Sequence, residues 1–185
     1  MLGSVKGFGE KEKKIDRKKL IRIFGIAALL GFLIAFSVRF WILFPFTISN
    51  SEMSPTYPSG KRVYIFRWIR PDSLFLGNVV LTEHPTQKNK VVLARIVGKP
   101  GDSISIQDKV VYRNGVSETE GSLPFSVQHS DNRPPFASGF SQRDNLSPVR
   151  IEDRNYFLLC DNRDDCTDSR DFGPIGFDKI LGKVL

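Results

Sequence analysis

An uncharged run of sixteen residues, IFGIAALLGFLIAFSV from Ile23 to Val38, constrains this chain more than any other feature. It has no polar face, and a helix that is apolar all round does not suit the core of a small domain. Counted on to Phe44 it reaches 22 residues, about 33 Å of helix at 1.5 Å per residue, which is enough to cross a hydrocarbon layer. Arg39 near the far end is placed to snorkel to the interface, and Trp41 suits an interfacial belt. The run is longer than the apolar stretch of a secretory leader. It is followed by Arg39 and bulky aromatics rather than small residues, so it reads as a retained anchor. The expected organisation is a basic tail over 1–22, an anchor with its interfacial segment over 23–44, and a body over 45–185.

The net charge of +7 raises the question of nucleic-acid binding. Its location answers against that. Residues 1–22 carry eight basic and three acidic side chains, +5 in all, which leaves +2 for the rest of the chain. The basicity belongs to the tail and is no stripe on a folded face, so no nucleic-acid partner is expected. Basic residues before an apolar span favour a cytoplasmic N-terminus, so the body is expected outside the cytoplasm and the lipid bilayer is an expected partner.

Beyond the anchor, short apolar runs alternate with turn residues, as in a mostly-β domain. Arg62 to Trp68, the stretch NVVLTEHP, and Lys90 to Gly98 read as strands. SISIQDKVVYRNG reads as two short strands about Gln107–Asp108, followed by an Asn114–Gly115 turn. Residues 116–149 are rich in Ser, Pro, Asn and Gly, and read as a long loop or small insert. YFLLCDNR reads as a strand running into an acidic loop, and GFDKILGKVL as a turn and a last strand. Phe40, Trp41, Phe44 and Phe46 are expected against lipid or the anchor. A disulfide between Cys160 and Cys166 and two free thiols are both compatible with the sequence. Two cysteines with scattered His84 and His129 make no metal-ligand spacing, so neither a metal nor another cofactor is expected.

Three segments together resemble bacterial signal peptidase I, a family of membrane-anchored serine endopeptidases that remove signal peptides from exported proteins. They are FPFTISNSEMSPT (44–56), ARIVGKPGD (94–102) and CDNRDDCTDSRDFGPI (160–175). The resemblance implies a signal peptidase I-like β domain behind one transmembrane helix, with signal peptides or preproteins as partners. It also implies a Ser/Lys dyad. In such a dyad an apolar surrounding keeps the lysine neutral, so that its amine can take the serine proton.

Carried over residue by residue, the resemblance matches the scaffold and departs at the reactive groups. Met53, Pro55 and Thr56 fit the first motif, with Asn50 and Ser51 beside them, but the nucleophile position holds Glu52. Arg95, Gly98, Pro100, Gly101 and Asp102 fit the second, but the lysine position holds Ala94. In the third, Asp161, Asn162, Arg163, Asp168, Ser169, Arg170 and Gly173 fit, while Cys160 and Cys166 replace a glycine and a serine. Arg163 and Arg170 are expected to form a salt-bridged brace with the surrounding aspartates.

Neighbours do not restore the dyad. Use of Ser51 shifts the register by one residue, which turns a side chain to the opposite face of an extended backbone. Lys90 shares a strand face with position 94 but lies about 13 Å away at 3.3 Å per residue, outside proton-transfer reach. The expected function is therefore an inactive relative in the export pathway that binds extended peptides or an active signal peptidase. Two alternatives stand beside it. One is an active peptidase using non-standard groups such as Glu52 with Asp168; the other is a structural membrane protein without peptide affinity.

Overall fold

A computed structural model describes residues 17–119, 129–136 and 139–185. By compactness the chain divides in two, one unit running to Arg39 and the other spanning Phe40–Leu185. Helix α1 spans Arg17–Trp41 and is the one described helix long and apolar enough to cross a membrane. Its 25 residues extend about 37 Å. It starts six residues before the uncharged run, because Arg17 to Arg22 have good helix propensity and no breaker intervenes. It also stops earlier than the 23–44 reading supposed. Pro45 cannot continue a helix and disfavours helical geometry at the residue before it. Leu43 and Phe44 accordingly belong to a strand.

The strands in chain order are β1 (Leu43–Thr47), β2 (Arg62–Phe66), β3 (Val79–Glu83), β4 (Val91–Gly98), β5 (Ser103–Gln107), β6 (Val110–Arg113), β7 (Val116–Ser117), β8 (Leu146–Arg150), β9 (Asn155–Leu159), β10 (Ile175–Gly176) and β11 (Ile180–Val184). A short helix α2 (Ser169–Phe172) separates β9 from β10. One antiparallel sheet runs β1-β2-β11-β3-β4-β9-β10 and a second runs β7-β6-β5-β8. β1 is an edge strand, which tolerates Pro45 because no inner neighbour needs its missing N–H. β4 is buried on both faces, as its near-continuous apolar sequence VVLARIVG requires. The Asn114–Gly115 turn joins β6 to β7, with φ of 53° and 81° at the two residues, the positive pair that a tight hairpin needs.

Two apolar clusters form the core. Ile48, Met53, Val80, Ala94, Tyr156 and Leu158 belong to the larger one, and Ile104, Val111, Ile151 and Phe157 to the smaller. Phe44 and Phe46 pack partly buried against the larger cluster, whereas Phe40 and Trp41 are exposed. The aromatic group at the end of the helix thus splits, and its strand residues serve the core. Residues 116–149 contribute β7 and most of β8. The other described residues of that stretch form no strand beyond a single bridge from Ser130 to Asn162. Cys160 and Cys166 are disulfide-bonded.

Gly182 in β11 has no room for a side chain. A Cβ there would lie 2.6 Å from Ile65 Cγ2 and 2.6 Å from the backbone oxygen of Phe66. Gly182→Ala should destabilise the body by about 1–3 kcal/mol, because a strand backbone rather than a side-chain tip must move. Thermal unfolding of the full chain in detergent, followed by near-ultraviolet circular dichroism, measures the loss.

Candidate functional site

Segment 48–57 leaves β1 as a run of turns, anchored at both ends. Ile48 N–H donates to Lys61 O at 3.0 Å, and Tyr57 N–H donates to Met53 O at 2.8 Å. The Met53 side chain is fully buried in the larger core. Its neighbour Glu52 is half-buried and lines a groove of about 370 Å³ with Asn50, Ser51, Arg143, Asp165 and Cys166. Ser54–Pro55 is a cis peptide, and Pro55 and Thr56 are exposed on the turn.

The loop after β9 holds this segment in place. Asn162 N–H donates to Glu52 O at 2.9 Å, and Asn162 Nδ2 donates to Ser51 O at 3.2 Å. The Ser51 hydroxyl donates to Asp165 at 3.4 Å. The loop in turn is fixed by charge. Arg95 from β4 makes a two-pronged pair with Asp161 at 2.8 and 2.5 Å and donates to Gly77 O at 2.8 Å. Such a fork satisfies both carboxylate oxygens at once. Asp168 caps α2, pairs with Arg170 at 2.9 Å and accepts from Cys160 N–H at 3.2 Å. Ser169 Oγ accepts from Leu158 N–H at 2.9 Å. Arg170 also donates to Arg163 O at 2.9 Å.

The expected brace is present, with one partner outside the aspartate set. Arg163 pairs with buried Glu118 at 3.0 Å, a residue of the stretch that the sequence left unread. Arg143, from the same stretch, reaches Asp171 at 2.6 Å and Arg163 O at 3.1 Å and lines the groove. No sequence pattern singles out either residue. Gly101 and Asp102 are structural and lie apart from the groove. Gly101 N–H donates to Ile151 O, and Asp102 accepts from Arg113, Asn114 and the Lys99 N–H.

Electrostatics single out Glu52. Desolvation lifts its carboxyl above the ordinary glutamate value, and the charges of Asp165 and Asp168 add to the effect. A hydrogen bond from Asn50 and the charge of Lys90 oppose it. Its Oε2 is buried and has no hydrogen-bond partner. Ala94, paired with Val80, is 1% exposed in the larger core and does not line the groove. Among the described residues, no lysine or histidine lines the groove either.

The family described as signal peptidase, peptidase S26, matches residues 18–185. The chain belongs to the signal peptidase family. It is similar to signal peptidase IB of Staphylococcus aureus (strain COL), with 34% identity over 173 residues, which is 90% of this chain and 88% of the relative. Signal peptidase I of Bacillus licheniformis is 26% identical over 174 residues, covering 93% and 90%. A solved signal peptidase I from Enterococcus faecalis V583 matches 60% of this chain and 96% of its own, with a TM-score of 0.44 and 26% identity. Among the described residues, this member of the family has a mostly-β body and one apolar helix of membrane-spanning length.

Two predictions follow from the geometry of this family member. Arg95→Ala strands the buried Asp161 carboxylate and should cost about 3–5 kcal/mol, measured as a lowered unfolding midpoint in detergent. Glu52 keeps its proton in the folded chain at pH values where the unfolded chain has lost it. The folded state therefore binds more protons, and stability falls as pH rises from the ordinary glutamate range through the raised value. Glu52→Gln should remove that loss, so its melting temperature should gain on the parent's as pH rises above the ordinary glutamate range.

Proposed function

We propose that this chain is a membrane-anchored member of the signal peptidase family that holds extended peptides without cutting them. In this reading Glu52 and Ala94 stand where a nucleophilic serine and its lysine base would. The N-terminus is cytoplasmic and the body extracytoplasmic. The observation that carries the proposal is Glu52 Oε2, a buried oxygen without a partner at the groove wall. A carboxylate there cannot be activated as an alkoxide would be, and no neutral amine is at hand to take a proton.

Substitutes in and behind the groove are committed elsewhere. Ser51 donates its hydroxyl to Asp165. Asp168 is fully buried and saturated by Arg170 and Cys160 N–H, which leaves it no free lone pair to orient a water against Glu52. Cys166 is in a disulfide, so it offers no thiolate. Peptide binding needs none of these groups. An extended chain is held by backbone hydrogen bonds, and small side chains enter shallow pockets. A partnership with an active signal peptidase is compatible with the same groove.

Incubation of the full chain in detergent with a preprotein should give no specific cleavage. Cleavage after a small residue that disappears in Glu52→Ala would overturn the proposal. Photo-crosslinking with a signal-peptide probe should label residues near 50–56, and absence of labelling would favour a purely structural role. The double substitution Glu52→Ser with Ala94→Lys should restore measurable cleavage, because position 94 already has the dry, apolar setting that lowers a lysine pKa.

A further inference from the structure

A second cavity of the body lies away from the Glu52 groove. It has a volume of about 480 Å³ and is formed by the β3–β4 hairpin together with Lys179 and Leu181. Lys88, Lys90 and Lys179 line it against a single acidic side chain, Glu83. Glu83 is exposed, and its 3.8 Å contact with Lys179 is a weak surface pair. Three lysines less one glutamate leave the cavity at a formal +2.

A buried histidine lines the same cavity. His84 is 7% exposed, and its Nδ1 accepts from Thr86 N–H at 3.2 Å and Gln87 N–H at 3.1 Å. Those bonds require Nδ1 to be unprotonated, so the ring proton is on Nε2. Burial, with the charge of Lys90 as a second cause, lowers the pKa of His84 and keeps the ring neutral. Nε2–H is thus a fixed donor, and it has no hydrogen-bond partner. Phe172 lies edge-on to the ring at 5.4 Å between centroids and holds it in place. A neutral N–H donor beside three ammonium groups suits an anion rich in acceptor oxygens.

The strand register says where such an anion would come from. Leu43 pairs with Phe66, Phe66 with Lys183, and Lys183 with Val80. These four residues therefore lie at one level of the sheet. From Val80, β3 runs on to His84 in the direction opposite to Thr47, about 13 Å beyond that level at 3.3 Å per residue. This is the end of the sheet at which the chain arrives from the apolar helix. Arg67 N–H donates to Ile42 O at that end, and Trp68 beside it is 74% exposed. Only Ile42 separates the last residue of α1, Trp41, from Leu43, so this end of the sheet is tied by a single residue to the membrane-length helix.

We propose that the β3–β4 hairpin cavity binds the phosphate of an anionic phospholipid headgroup. Lys88, Lys90 and Lys179 supply the charge, and His84 Nε2–H donates to a phosphate oxygen. The Glu52 groove takes no part, so the site does not depend on whether the chain cleaves or holds peptides.

The test uses the full chain, ¹⁵N-labelled, in a neutral maltoside detergent. Short-chain phosphatidylglycerol, short-chain phosphatidylcholine and inorganic phosphate are titrated separately. The glycerol lipid should shift the His84 imidazole and the amides of Thr86 to Lys90 saturably, with the choline lipid and phosphate at least about tenfold weaker. Lys88→Gln with Lys90→Gln and Lys179→Gln should abolish the response. Lys88→Gln alone, a change at an exposed residue, should weaken it and controls for a triple variant that does not fold. An absent or non-saturable response, or one unaltered in Lys88→Gln, overturns the proposal. Equal affinity for the choline lipid removes the selectivity for anionic headgroups, and equal affinity for phosphate makes the cavity a site for the free ion. Either result overturns the assignment.

Discussion

The buried pair of Arg95 and Asp161 is the joint on which the site depends. Arg95 comes from a strand buried on both faces, and Asp161 opens the loop that holds residues 50–54. Burying two charges is costly unless every polar atom finds a partner. Here the guanidinium spans both carboxylate oxygens and a backbone carbonyl. The next residue, Asn162, grips Ser51 and Glu52 through their backbone oxygens, and the Cys160–Cys166 disulfide closes the loop behind it. The frame reaches Glu52 only through its main chain. The side chain at position 52 is therefore free to change without disturbing the architecture that positions it. A substitution at that side chain leaves the backbone contacts from Asn162 in place.

The same separation explains why the groove carries an uncomfortable charge. A hydroxyl at position 52 would be neutral and could both donate and accept. A carboxylate brings a charge beside Asp165 and Asp168, with one oxygen unpaired. Burial and like charge both disfavour ionisation, and the Asn50 bond and distant Lys90 only partly offset them.

Much of the body was legible in the sequence because its strands carry their own punctuation. The stretches that become β3, β4, β5 and β6 are apolar runs bounded by Gly, Pro, Asn and Asp, and turn chemistry fixes where they end. The Asn114–Gly115 hairpin is the clearest case. The upstream end was harder. The count of apolar residues runs past Trp41, and Pro45 was the signal that Leu43 and Phe44 leave the helix for an edge strand. Two partners in the brace, Glu118 and Arg143, had no local signature. Their roles arise from pairing with Arg163 and Asp171, some 45 and 28 residues away in the chain, across turn-rich material. Polar residues in such a stretch look alike until the fold brings charges to them. The reverse holds for Asp102, which a motif flagged but which only staples a turn to Arg113 and Asn114.

Lys90 connects the two cavities. Its charge is felt at Glu52, where it favours the ionised carboxylate, and at His84, where it disfavours a second cation. An anion seated against Lys90 would cancel much of that field. Glu52 would then lose an opposing charge and rise further in pKa, while His84 would be relieved of a like charge and rise as well. Both shifts have the same sign although one group is an acid and the other a base, because each reports the potential and neither depends on the contact itself. Occupancy of the hairpin would thus be readable at the groove through a shared lysine. No moving part is required, only the short range over which a half-buried charge escapes screening by water.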